Sequence, residues 1–229
     1  MSTRTDNAQT GRPFLTRAYK LTSVDEARAL YNEWAATYNQ DLADPSHDWV
    51  APALTAAALL DFFSNSRQAR GNGALEILDA GCGTGIVGAA LASQSVAKHL
   101  PLEIDGIDLS TGMLDVAQKT GAYRRFDTAD MSKSLAIDDR AYDGVICVGV
   151  LTEGHVGPDV LQEFLRVLRP GGCAAVTVRE DIWETGGYKR QVEELEKESK
   201  VQVVSAKSED SLKGASIKMK LLLLKRVLN

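Results

Sequence analysis

A doubly wound α/β fold around a mostly parallel sheet is what this sequence predicts, and three features carry the prediction. Short apolar runs at residues 75–78, 104–108 and 142–150 have the length of buried strands. Stretches long enough for a helix separate them, the pattern that gives parallel pairing. The first run leads into Asp79 and three alternating glycines, Gly81, Gly83 and Gly85, which mark a tight turn between strand and helix.

The elements follow in chain order. Residues 1–21 are polar and read as a loose segment. Ser23-Val24-Asp25-Glu26 has the form of a capping box, with Ser23 as the cap and Glu26 three positions on. The helix it opens carries Val24, Ala27, Leu30, Tyr31, Trp34 and Tyr38 at near-helical spacing, and Asp44-Pro45-Ser46 should break it. Residues 49–63 read as a second apolar helix, and Gly71-Asn72-Gly73 as the entry to the core. The run at 75–78 and the glycine turn lead into a helix that starts at Ile86. Ile104-Asp105-Gly106-Ile107-Asp108 is the second strand, Thr128-Ala129-Asp130-Met131 ends a third, and residues 142–150 are the fourth. Leu168-Arg169-Pro170-Gly171-Gly172 is a turn before a fifth strand at 174–178. Residues 188–200 read as a charged helix and 201–204 as a short strand, and 217–221 alternate as a half-buried strand should.

Composition narrows the function classes. The 229 residues suffice for one domain with a sizeable core, and 44% hydrophobic with 25% charged residues is ordinary globular material. A net charge of -5 argues against a general nucleic-acid surface, and the adjacent Arg124 and Arg125 read as a solvated loop pair. Cys82, Cys147 and Cys173 lie in or beside apolar segments, which fits free thiols in a reducing compartment, and no Cys/His spacing suggests a metal site. No run of 18 apolar residues is present to span a membrane. The first 20 residues lack an apolar signal core, although Arg4, Arg12 and Arg17 stand against a single acid, Asp6; the cytoplasm is the expected compartment.

The glycine turn separates two cofactor classes. A dinucleotide fingerprint, G-x-G-x-x-G, needs glycine at position 86, where this chain has Ile86. The acid-x-Gly-x-Gly-x-Gly spacing from Asp79 to Gly85 resembles instead motif I of the class I S-adenosylmethionine (SAM)-dependent methyltransferases. Asp108 lies 23 positions beyond Gly85 (108 − 85), near the offset of roughly 20 at which an acid meets a ribose. Segments resembling the family's ribose acid, adenine-side acid, central strand and turn before strand five occur in order over residues 75–180. Tyr31-Asn32-Glu33-Trp34-Ala35 and the stretch from Val148 to Val156 are similar to phrases of the methyltransferase-like proteins of the Williams-Beuren region.

The resemblance implies a Rossmann-like, seven-stranded, mostly parallel sheet closed by an antiparallel C-terminal hairpin and covered by an N-terminal helical lid. It also implies a single domain over 1–229, with a flexible segment and lid at 1–70, a SAM-binding core at 71–180, and a closing helix and hairpin at 181–229. Asp79 and the backbone of Gly81 and Gly83 would then hold the methionine end, and Asp108 the ribose hydroxyls. Leu109 and Met113 would flank the adenine, Asp130 and the backbone at Met131 would meet its polar edge, and Val148 and Gly149 would lie beside the methyl group. Tyr31, Trp34 and Tyr38 are candidates for an aromatic lid over the sulfonium, with plain core packing as the competing reading.

A sulfonium is already electrophilic, so the protein mainly aligns a nucleophile and excludes water. Candidate general bases are therefore few. His155 and Glu153 follow the fourth strand on the acceptor side, against the plainer readings of a loop histidine and a carboxylate that binds a substrate cation. His47 and His99 read as surface residues. The Asn-Pro-Pro-Tyr signature of amino-group DNA and glutamine methyltransferases is absent after strand four. The expected function is SAM-dependent methylation of an oxygen or nitrogen on a small apolar or aromatic molecule, by a monomer or homodimer without nucleic-acid, membrane or metal partners. The alternatives are a SAM-binding protein that transfers no methyl group, pericyclase-like or a sensor, a protein methyltransferase, and an inert scaffold.

Overall fold

The structure is a computed structural model that describes residues 11–65 and 73–228. The expectations placed on residues 1–10, Gly71 and Asn72 lie outside the described residues, as does the Arg12 side chain. Seven strands form one sheet: β1 (Leu75–Ala80), β2 (Leu102–Asp108), β3 (Arg125–Thr128), β4 (Tyr142–Leu151), β5 (Leu168–Arg179), β6 (Val201–Leu212) and β7 (Ile217–Arg226). Their order is β3-β2-β1-β4-β5-β7-β6, parallel except for β7, which runs antiparallel to both β5 and β6. This is the predicted doubly wound sheet with its closing hairpin.

Helices cover both faces, which is why the central strands are apolar throughout rather than alternating. On one face, α4 (Ala51–Asn65) and α5 (Ile86–Lys98) pack Leu59, Phe63 and Leu91 against Ile77, Ile146 and Ala175. On the other, α7 (Val160–Val167) and α8 (Tyr188–Lys197) pack Phe164, Leu161 and Val192 against Leu78, Val145 and Val176. The short α6 (Thr111–Ala117), capped by Ser110, connects β2 towards β3. β1 and β4 are adjacent although their crossovers leave in opposite directions, so a crevice opens at their carboxyl ends, the usual ligand position in such sheets.

The N-terminal elements depart from expectation in two places. Residues 11–18 are not loose: they form helix α1 (Gly11–Ala18), because Phe14 stacks on Trp34 with centroids 5.4 Å apart, Ala18 is buried, and Arg17 forks onto Glu33. Helix α2 (Val24–Trp34) is capped by Ser23 as the spacing predicts, while Glu26 reaches back to the Thr22 amide. It ends at Trp34, ahead of the predicted break at Asp44-Pro45-Ser46. Asp41 accepts from Trp34 Nε1 (2.7 Å) and from the Thr37 hydroxyl (3.0 Å), and that pairing holds a separate helix, α3 (Tyr38–Leu42). At the far end of the chain, β6 and β7 run beyond the predicted 201–204 and 217–221, because their hydrogen bonds continue while polar residues take the exposed side. Arg124 and Arg125 are not a solvated pair: both bind the buried carboxylate of Asp105, which also accepts from the Tyr142 hydroxyl.

Candidate active site: a cofactor cleft and an aromatic chamber

The β1–α5 loop is stitched to the end of β2. Gly81 and Cys82 donate to the Ile107 carbonyl at 2.8 and 2.9 Å, and Gly83 donates to Asp108 Oδ2 at 2.9 Å. Gly81 has φ +77°, and a Cβ there would collide with Val150, so no other residue fits without strain. At Gly83 (φ +54°) a Cβ would meet nothing within 4 Å, because the backbone faces open space. The other oxygen of Asp108 accepts from the Ser110 amide at 2.8 Å, and burial pushes its carboxyl above the usual carboxylate range.

The cleft beside this loop spans about 930 Å³, counting the part that is open to solvent. Gly81, Gly83, Asp108, Leu109, Met113, Asp130, Met131, Val148 and Tyr31 all line it, as do Tyr38 and Gly149. Three predicted residues do not. Asp79 is fully buried beneath the loop, where Oδ2 accepts from the Tyr123 hydroxyl (2.7 Å), Oδ1 has no partner among the described residues, and desolvation raises the carboxyl to about 7. Trp34 is buried behind Tyr31 as part of the α1–α3 core, where packing rather than cofactor contact accounts for its position. Glu153 is exposed and is not among the residues that line the cleft.

His155 does reach the cleft. Its Nδ1 lies 2.9 Å from the Glu153 carbonyl, which can only accept, so Nδ1 carries the proton and Nε2 keeps a lone pair. That lone pair accepts from the Tyr31 hydroxyl at 2.8 Å. Burial lowers the His155 pKa and the nearby Arg179 lowers it further, against the opposing Glu153 carbonyl, so the ring is neutral at physiological pH. Burial and the charge of Asp108 raise the Tyr31 phenol, which stays a donor.

Residues 77–172 match the family model described as a methyltransferase domain. Human methyltransferase-like protein 27 is 32% identical over 163 residues, which is 71% of this chain and 61% of that protein. A Listeria monocytogenes structure assigned to the class I SAM-dependent methyltransferases superposes with TM-score 0.63 at 14% identity, over 91% of this chain and 70% of its own. Magnesium protoporphyrin IX methyltransferase from Synechocystis, solved with bound S-adenosylhomocysteine (SAH), gives TM-score 0.56 at 14% identity, over 95% of each chain. Residues 77–172 form a methyltransferase domain, on the fold of the class I SAM-dependent methyltransferases. The chain spans 61%, 43% and 39% of the lengths of the three curated relatives it matches.

The residues of this methyltransferase domain fit the cofactor. Asp108 has two oxygens pinned by backbone amides and spare lone pairs, as a pair of vicinal hydroxyls requires. Leu109, Met113 and Met131 offer an apolar slot for a flat ring. Asp130 is held by Ser132 and Lys133; burial raises its carboxyl, but these contacts outweigh that and keep it ionised. No side chain caps α5 at Gly85, so the positive end of that helix is available to a carboxylate.

Two asparagines missing from the sequence expectation fix the N-terminal helices against the cleft. Asn32 Oδ1 accepts from the Ser110 hydroxyl (2.7 Å) and the Gly112 amide (2.9 Å), locking α2 onto α6 beside Asp108. Asn39 accepts from the buried Thr84 hydroxyl in the glycine loop. Behind the cleft, a second cavity, partly open to solvent, lies under α1–α3 and shares Tyr31, Tyr38, Trp49 and Gly149 with it. Five aromatic side chains, Tyr19, Tyr31, Trp34, Tyr38 and Trp49, share its wall with aliphatic and polar residues: Trp34 and Tyr38 meet edge to face at 4.7 Å, and Tyr38 and Trp49 at 6.2 Å. Among the described residues, no helix is long and apolar enough to cross a membrane.

Proposed function

We propose that this domain transfers the methyl group of SAM to an oxygen or nitrogen of a small apolar or aromatic molecule seated in the aromatic chamber. The observation that carries the reading is the shared wall at Gly149, where the cofactor cleft meets a chamber enclosed by α1–α3. Bound SAM supplies an electrophilic methyl carbon; the remaining work belongs to the chain. Asp108 holds the ribose hydroxyls, Leu109 and Met113 enclose the adenine, Asp130 and the Met131 backbone meet its edge, and the Gly81–Gly83 backbone receives the methionine end. Asp79 supports that loop from beneath. Val148 and Gly149 leave a small, dry surface beside the reacting centre, and Tyr31 and Tyr38 keep water out.

His155 is the general base of this mechanism. Its Nε2 takes the proton from the nucleophile through Tyr31, whose hydroxyl receives one proton as it gives up another. Tyr31 borders both cavities and His155 the cleft, so the two bridge nucleophile and base. A concave site of this kind favours a small molecule over a folded protein or nucleic acid, in line with the net charge of -5. The three buried free thiols fit a cytoplasmic protein, acting as a monomer or homodimer.

SAH release tests the reading. With purified protein and SAM, uncharged aromatic alcohols and amines should stimulate SAH formation above the protein-only rate, while peptides and oligonucleotides should not. Stimulation by peptides alone would place the acceptor outside the chamber and overturn the proposal.

A further inference from the structure

Arg179 is the one charged residue among those that line the aromatic chamber, and its guanidinium is used unevenly. Nε donates to both Asp181 oxygens (2.8 and 3.0 Å) and Nη2 to Oδ2, so that one edge of the fork is closed. The Tyr19 ring lies over the group, 4.3 Å from centroid to Cζ. Nη1 is buried and has no hydrogen-bond partner among the described residues. A buried donor without an acceptor is costly, and such groups in native proteins are nearly always matched.

The charge balance decides what the match is. Asp181 already neutralises Arg179, and the nearby Glu153 adds further negative charge. A ligand carboxylate would bring another anion into this surplus and would leave water to enter aromatic walls. A neutral carbonyl oxygen accepts from Nη1 without that cost. We infer that the chamber binds an uncharged, flat aromatic molecule bearing a carbonyl oxygen, which Arg179 Nη1 holds while the opposite end of the molecule faces Gly149. Tyr19, which lines the same chamber and lies over the guanidinium, turns aside when the oxygen enters. This rests on the reading of the chamber as the acceptor site.

The experiment uses full-length protein saturated with SAH and three probes of similar size: 2-methylnaphthalene, 2-acetonaphthone and 2-naphthoate. Quenching of tryptophan fluorescence reports occupancy, since Trp34 and Trp49 are in the wall. The ketone should bind about tenfold tighter than the hydrocarbon, the scale of one hydrogen bond to a charged donor. The carboxylate should bind more weakly than the ketone. Arg179→Met should erase the advantage of the ketone while leaving hydrocarbon binding in place, and Arg179→Met combined with Asp181→Asn, which leaves no unpaired carboxylate behind, provides the same comparison should the single variant not fold. Equal binding of ketone and hydrocarbon to the wild type, or tightest binding of the carboxylate, overturns the inference. SAH titration of the same protein separates the two failures: without SAH binding, it is the methyltransferase reading that falls.

Discussion

Asp108→Asn is expected to weaken SAM binding by about 10- to 100-fold, equivalent to roughly 1.4–2.8 kcal/mol. The substitution keeps size and shape, yet one carboxylate oxygen becomes an NH2 group. Both oxygens of Asp108 already accept backbone amides, from Gly83 and Ser110. Whichever side the new NH2 takes, donor meets donor, so the glycine loop loses an anchor at the same time as the ribose loses an acceptor. The hydrophobic core does not depend on this residue, so the urea midpoint should move little. Calorimetric titration checks the affinity; an unchanged dissociation constant would remove Asp108 from the cofactor site.

His155→Ala is expected to lower kcat by about 10²- to 10⁴-fold, the usual contribution of a positioned base, while SAM affinity stays as it was. The pH profile carries a second, independent sign. The active form is the neutral ring, and burial holds its pKa below the ordinary 6.5. Activity should therefore be level above pH 6.5 and fall only as pH drops through the depressed pKa, when protonation removes the Nε2 lone pair. The residual activity of the variant should lack that acidic limb. A wild-type turnover in the variant, or an acidic limb centred above pH 6.5 in the parent, would return His155 to an ordinary loop residue.

What the sequence made legible follows from how local each feature is. The glycine loop, Asp108 and the strand pattern depend on near neighbours and on apolar runs, so their spacing, together with the family resemblance it carries, pointed to the cleft. Asp79 shows the limit of that reading. A motif position says that an acid sits under the loop, whereas Tyr123, 44 positions away, takes up its oxygen and keeps it off the cleft wall. The early end of α2 came from an Asp41 side chain that binds Trp34 and Thr37, a contact that periodicity does not register. Trp34 looked like a lid residue because it shares a helix with Tyr31, but α1 stacks Phe14 on it and turns it into core. Tyr31 and His155 are 124 positions apart, and nothing short of the fold brings them to 2.8 Å. The chamber was equally invisible, since its wall combines α1–α3 with the ends of β4, β5, β6 and β7.

The central claim is a SAM cradle built on Asp108 and the Gly81–Gly85 loop, and the most direct measurement is calorimetric titration of the purified wild-type protein with SAM and, separately, with SAH. The structure predicts saturable binding of each at one site per chain. Failure of both to bind at millimolar concentration would contradict it.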